Sequence, residues 1–197
     1  VIPEQQSLFS VREVKSPRYG TEIEPLNISL DALQTWKQRI FQFQQRVQVR
    51  APAEQGSLFG AMPSAEEIAD TIAPFTLVQQ NTDFWRWQVQ DAGTAAYYFV
   101  IDYALPILLY VGETVKANQR WKGEHDCKRY IENYISAHRQ CESTTAAPCR
   151  VGIGFLHAAP TTTRDRQQLE TALIYKWRSP FNKQNWTFWG TPFVGGK

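Results

Sequence analysis

Two apolar runs separated by four residues constrain this chain more than any other stretch. Ala95–Asp102 is rich in aromatic and β-branched residues, Ile107–Val111 is a second such run, and Tyr103–Pro106 lies between them. Four residues suffice for a hairpin and are too few for the crossover that a parallel pair needs, so the strands are expected to pair antiparallel. Tyr110 is expected at the end of the second strand, with Gly112 letting the backbone turn tightly after it. A polar helix is then expected from Lys116 to about Arg139, with a break at Gly123. Ser143–Pro148 reads as a loop and Arg150–His157 as a third strand. From Thr163 or Asp165 to Trp177, Leu169, Ala172, Leu173 and Tyr175 or Lys176 recur at helical spacing, and Ser179-Pro180 ends that helix. The order β-β-α-β-α predicts an α+β domain, a small mixed or antiparallel three-stranded sheet flanked by helices.

The N-terminal part reads differently. Residues 1–28 hold three prolines and no sustained period, which predicts an arm. Ser29 is an N-cap candidate for an amphipathic helix carrying Leu30, Leu33, Trp36, Ile40, Phe43, Gln44 and Val47, with Lys37, Arg39 and Arg46 expected off the apolar stripe. That pattern fits a scaffold helix packed on the domain. Ala51-Pro52 ends it. After a loop to Pro63, Ser64 caps a short helix over Ala65–Ile72, with Glu66 and Glu67 in its first turn. Residues 75–90 alternate partially, as a strand would, and Asp91-Ala92-Gly93 is a turn. The expected division is a helical N-terminal extension over residues 1–90 and a second domain over 91–197.

Composition narrows the class without naming it. Of 197 residues, 43% are hydrophobic and 13% aromatic, which excludes disorder throughout. A net charge of +2 permits nucleic-acid binding without arguing for it, so any such site must come from local clustering. Three cysteines, Cys127, Cys141 and Cys149, form no CxxC pair, which argues against a disulfide framework or a four-ligand zinc site and fits a reducing cytoplasm. The sequence has no apolar run of membrane-spanning length and no signal-peptide pattern. Val1 in place of an initiator Met points to a removed or trimmed start.

The residues that could do chemistry are Tyr97, Tyr98, Tyr110, Arg120 and Glu170, each ordinary alone. In order, Ala96-Tyr97-Tyr98, then Tyr110-Val111-Gly112, then Arg120 ten residues on, then Glu170 and Pro180-Phe181-Asn182 resemble the GIY-YIG nuclease superfamily over roughly residues 94–186. The resemblance implies that Glu170 holds one divalent cation, Mg²⁺ or Mn²⁺, with water and phosphate completing its shell. It implies that Arg120 binds the scissile phosphate. Tyr110 and a first-strand tyrosine, Tyr98 or Tyr97, would flank the attacking water, Asn182 would anchor the loop after the Glu170 helix, and His125 sits near the family's His or Tyr position. The implied reaction is metal-dependent hydrolysis of DNA. This chain departs from the pattern in having Ala where the family has the first glycine. It also carries Glu113, whose charge would repel phosphate unless it turns away or joins the metal.

Two further features bear on partners. Lys116, Arg120, Lys122, Lys128, Arg129 and Arg139 cluster on or near the predicted first helix, and Arg164, Arg166, Lys176, Arg178 and Lys183 on or after the next; they are either a DNA-backbone surface or solvated helix faces. Gln5, Leu8 and Phe9, and again Gln55, Leu58 and Phe59, share the pattern Gln-x-Ser-Leu-Phe. Both copies either tuck into the protein's own core or resemble the peptide with which bacterial repair proteins dock on the polymerase sliding clamp. Together these features imply a nucleoid-associated endonuclease of repair or recombination acting on branched DNA. The alternatives are a sequence-specific restriction or homing-type enzyme, and a catalytically silent DNA- or clamp-binding adaptor.

Overall fold

The computed structural model describes residues 29–51, 63–81, 95–115, 126–141, 149–157 and 159–190. Their elements, in order, are α1 (Leu30–Gln44), α2 (Ala65–Thr71), β1 (Gln80–Asn81), β2 (Ala96–Asp102), β3 (Ile107–Thr114), α3 (Asp126–Cys141), β4 (Val151–Leu156), α4 (Thr163–Trp177) and a single turn, α5 (Trp186–Trp189). The helix starts follow local chemistry. Ser29 accepts from the Ala32 N–H. Ser64 and Glu67 form a reciprocal capping box, and Thr162 accepts from Asp165 N–H. Arg178, in the left-handed region at φ 49°, closes α4.

The strands form one antiparallel sheet in the order β1-β4-β2-β3. Three strands carry it, since β1 contributes only two residues. The expected hairpin is β2–β3, and the expected third strand pairs on the far side of β2 rather than on β3. Every residue of β2 is buried, so both sheet faces are covered. One face carries Tyr98, Val100, Ile107, Leu109 and Ile153 against Leu33, Trp36 and Ile40 of α1 and Tyr130, Ile131 and Tyr134 of α3. The other carries Tyr97, Phe99, Ile101, Leu108 and Val111 against Leu169, Leu173, Ile174 and Trp177 of α4. Helix α1 thus shares a core with the sheet and with Phe181 and Trp189 near the C-terminal end.

Several local expectations are corrected. β3 does not end at Tyr110 but runs on to Thr114, because a bulge at Leu109 resets the register and lets Gly112 pair with Tyr98. Gly112 serves close approach rather than a turn: a Cβ there would stand 2.2 Å from the Tyr98 ring, which lies across it. Lys37 is not off the apolar stripe of α1; it is buried and paired with Asp102 at the end of β2. Residues 74–76 are a 3-10 turn, and the strand expected over 75–90 appears as Gln80–Asn81, with 82–94 outside the described residues. Gly112→Ala is expected to force the Tyr98 ring aside and to cost about 1–3 kcal/mol, read from the urea midpoint of unfolding.

Candidate functional site

Among the described residues β3 is an edge strand, paired with a strand on one side only, so its outer N–H and C=O groups need partners from elsewhere. Side chains from three elements supply them. The Gln44 carboxamide of α1 accepts from Leu108 N–H at 2.7 Å and donates to Leu108 C=O and Trp177 C=O at 3.0 Å each. Phe181 N–H donates to Leu109 C=O. The Asn182 carboxamide accepts from Val111 N–H at 2.9 Å and donates to Val111 C=O at 2.8 Å, as a neighbouring strand would. Ser179 Oγ donates to Asn182 Oδ1 at 2.6 Å and fixes which way the amide faces. Last along the edge, Glu170 Oε1 accepts from Glu113 N–H at 3.1 Å. Glu170 and Asn182, 57 and 71 residues along the chain from their β3 partners, therefore meet the same edge within three residues of Tyr110.

The tyrosines divide between the two faces of the sheet. Tyr98 and Tyr110 share one face, their rings stacked with centroids 5.8 Å apart and planes at 23°. Tyr97 lies on the other and donates its hydroxyl proton to Arg166 C=O at 3.0 Å. Burial first, then the Glu113 and Glu170 charges, push the Tyr97 phenol well above its ordinary range. Its hydroxyl is thus engaged as a donor to the α4 backbone.

Glu113 has a counterion. Its Oε2 meets Arg166 Nε at 3.0 Å, and Arg166 also donates to Pro160 C=O, Thr161 C=O and Thr163 Oγ1. Arg166 is buried and fully engaged, so it leaves the set of basic residues open to a DNA backbone. It lies one helical turn before Glu170, and the β3 residue it pairs with is the one whose N–H Glu170 holds. Lys128 and Arg129 lie on α3, the Arg129 guanidinium 5.7 Å from the Tyr130 ring, and exposed Lys183 stands 5.9 Å from the Trp186 ring. Tyr130 and Trp186 meet edge to face at 5.7 Å, which brings Arg129 and Lys183 to one region. Arg120, His125, Lys116 and Lys122 lie outside the described residues, as do Gln5, Leu8, Phe9, Gln55, Leu58 and Phe59.

A second polar cluster sits at the opposite end of β2, and sequence reasoning missed it. Asp102, fully buried, accepts from Lys37 Nζ at 2.9 Å, Tyr134 Oη at 2.6 Å, Ala104 N–H and Arg150 N–H. His138 Nδ1 faces the Tyr134 C=O at 2.8 Å; a carbonyl only accepts, so Nδ1 carries the proton and Nε2 accepts from Lys37, 3.0 Å away. Burial alone would raise the Asp102 carboxyl, but the Lys37 ammonium and the Tyr134 hydroxyl outweigh it and hold the group below its ordinary range. Donor atoms of Asp102, His138 and Cys149 lie within 4.8 Å of one another, a set that could gather round a metal. Lys37 already supplies a cation to two of the three, and thiolate with imidazole suits zinc, not Mg²⁺ or Mn²⁺. A carboxylate closing an apolar run, Asp102 after Ile101, was the available sequence signal. Among the described residues no helix is long and apolar enough to cross a membrane.

No family model, no curated protein and no solved structure matches this chain.

Two expectations follow from these contacts. Arg166→Met strands the partly buried Glu113 carboxylate and removes the bonds to Pro160, Thr161 and Thr163; it should cost about 3 kcal/mol, of which adding Glu113→Gln recovers the part due to the stranded charge; chemical denaturation of the three variants measures both. Asp102 is depressed in the folded state, so its contribution is complete above its unfolded value, near pH 4, and fades as pH falls through the lower folded value. The melting temperature should therefore drop below about pH 4, and Asp102→Asn should lower it at neutral pH while flattening that acid limb.

Proposed function

We propose that this chain is a divalent-metal-dependent DNA endonuclease of the GIY-YIG type, acting on branched DNA in repair or recombination. The observation that carries the reading is the meeting of Glu170 and Asn182 on the β3 edge beside the stacked Tyr98–Tyr110 pair. Those are four of the residues the family pattern nominates, drawn from β2, β3, α4 and the loop after it. Diversion of Glu113 to Arg166 removes the charge that most opposed a phosphate at this edge.

The donor set fits the implied ion. Glu170 is a half-buried hard oxygen ligand, the type Mg²⁺ and Mn²⁺ take, and one carboxylate suffices when water and phosphate complete the shell. Such an ion, when bound, lowers the pKa of a water and stabilises charge on phosphate oxygens. The chain's own contributions are positional. Partly exposed Tyr110 would orient the attacking water through its hydroxyl, and buried Tyr98, seated over Gly112, backs its ring. Asn182 fixes the strand that carries Tyr110, and Arg120 is assigned to the scissile phosphate. The twin Gln-x-Ser-Leu-Phe peptides are read as recruiting the enzyme to a sliding clamp near the nucleoid.

One observation favours a second reading, a silent DNA-binding adaptor: Glu170 Oε1 is already committed to a backbone N–H. Glutamine separates the two, because its carboxamide oxygen still accepts from Glu113 while the ligand charge is gone. Under the nuclease reading, Glu170→Gln melts within a few degrees of wild type and loses at least about 100-fold in Mg²⁺- or Mn²⁺-dependent cleavage of flap, fork and four-way junction DNA. Absence of cleavage by the wild-type chain on that panel, with DNA binding intact, would establish the adaptor instead.

A further inference from the structure

Two stretches of the sequence contain no Asp or Glu, residues 32–53 and 171–197. The fold brings them together. Phe43 of α1 meets Phe188 and Trp189 of α5 edge to face, at 5.8 and 5.7 Å. Trp36 Nε1 donates to Gly190 C=O, and Gln44 Nε2 to Trp177 C=O. Their joint surface is aromatic and cationic. The Arg178 guanidinium stands 5.4 Å from the Tyr175 ring and 5.0 Å from the Phe188 ring, and those rings are 48% and 47% exposed. Exposed Arg46 follows Phe43 by three residues, and Lys183 over Trp186 continues the surface to within one residue of Asn182 on the β3 edge.

We infer that this surface binds single-stranded nucleic acid, with bases stacked on Tyr175 and Phe188 and phosphates met by Arg46, Arg178 and Lys183. Half-exposed flat rings beside cations are what an unpaired strand offers complementary chemistry to: π-faces for stacking and a charged backbone. Duplex DNA hides its base faces and would use only the cations. An acidic peptide would likewise ignore the rings. Neither stretch supplies a carboxylate; those nearest Tyr175 are Glu66 and Asp70 of α2, in the groove Tyr175 lines, and Asp70 is paired with Lys176 and Arg50. The surface ends beside Asn182, so a strand held there would lead to the Glu170 edge. That last link rests on the nuclease reading, whereas the binding does not.

The test uses the full chain in EDTA, so that cleavage plays no part. Fluorescence anisotropy compares a labelled oligothymidylate of about 20 nucleotides with a duplex of the same length, a span that covers one such surface. The single strand is expected to bind more tightly than the duplex at equal salt. Tyr175→Leu with Phe188→Leu keeps apolar bulk over Phe43 and removes the flat rings; it should weaken single-strand binding about tenfold or more and leave duplex binding within about twofold. Arg46→Gln with Lys183→Gln should weaken both and flatten the salt dependence. Equal affinity for the two DNAs would overturn the inference. So would a leucine variant that melts like wild type and binds the single strand unchanged, or polyglutamate competing as well as the oligonucleotide.

Discussion

The outer edge of β3 is the constraint from which both fold and site follow. A strand paired on one side must satisfy its other row of backbone groups or leave them to water or to another chain. Here the row is closed by two carboxamides, a backbone N–H and a carboxylate: Gln44 at Leu108, Phe181 at Leu109, Asn182 at Val111 and Glu170 at Glu113. The caps arrive from three parts of the chain, so closing the edge fixes α1, α4 and the loop after α4 relative to the sheet. The bulge at Leu109 lets Leu108 and Leu109 both turn a backbone group outward, which is why two caps sit side by side there. Tyr110 follows directly and inherits a position determined on both sides.

Asp102 does for the far end of β2 what the edge caps do for β3. Four donors from α1, α3, the hairpin turn and the residue before β4 converge on one buried carboxylate. An uncompensated charge at that depth would cost several kcal/mol, so the ammonium of Lys37 is required. His138 completes the arrangement by giving its Nε2 lone pair to Lys37. This explains why a lysine occupies a core-facing position on α1, between Trp36 and Ile40: the stripe there is apolar except where it meets Asp102. The Tyr134 phenol, pushed well above its usual range by burial and then by the Asp102 charge, remains a donor throughout the physiological range.

Much of this was legible in the sequence wherever local chemistry decides. Ser29, Ser64 and the Thr162–Asp165 region announce helix starts because an N-cap needs only its own next three residues. The β2–β3 hairpin follows from a four-residue connection. Sheet order was not legible, because nothing local says whether β4 joins β2 or β3; the outer side of β3 is taken by the Phe181-Asn182 loop and by α4, leaving β2 as the partner. The fate of Lys37 was hidden for a similar reason, since its partner lies 65 residues away. Gly112 was assigned to a turn on the strength of glycine's freedom, whereas what matters is its missing Cβ, a property visible only once Tyr98 lies across it. Glu113 looked like an obstacle until Arg166, one turn before Glu170, proved to be its counterion.

Under the nuclease reading, Glu170 would combine a structural and a chemical role in one side chain. An ionised carboxylate has about four acceptor sites, and the N–H of Glu113 uses one of them. That bond ties the group to the strand carrying Tyr110. A solvated glutamate would have to be ordered at the moment of binding, and the ordering entropy of a long side chain would be set against affinity. Fixing it in advance through a backbone donor is the kind of positioning a site of this type requires. The Arg166–Glu113 pair works toward the same end. It gives the neighbouring carboxylate a counterion, and its arginine anchors the first turn of α4 through Pro160, Thr161 and Thr163. Edge closure, charge pairing and the presentation of Glu170 are then one arrangement, in which disturbing any member alters the others.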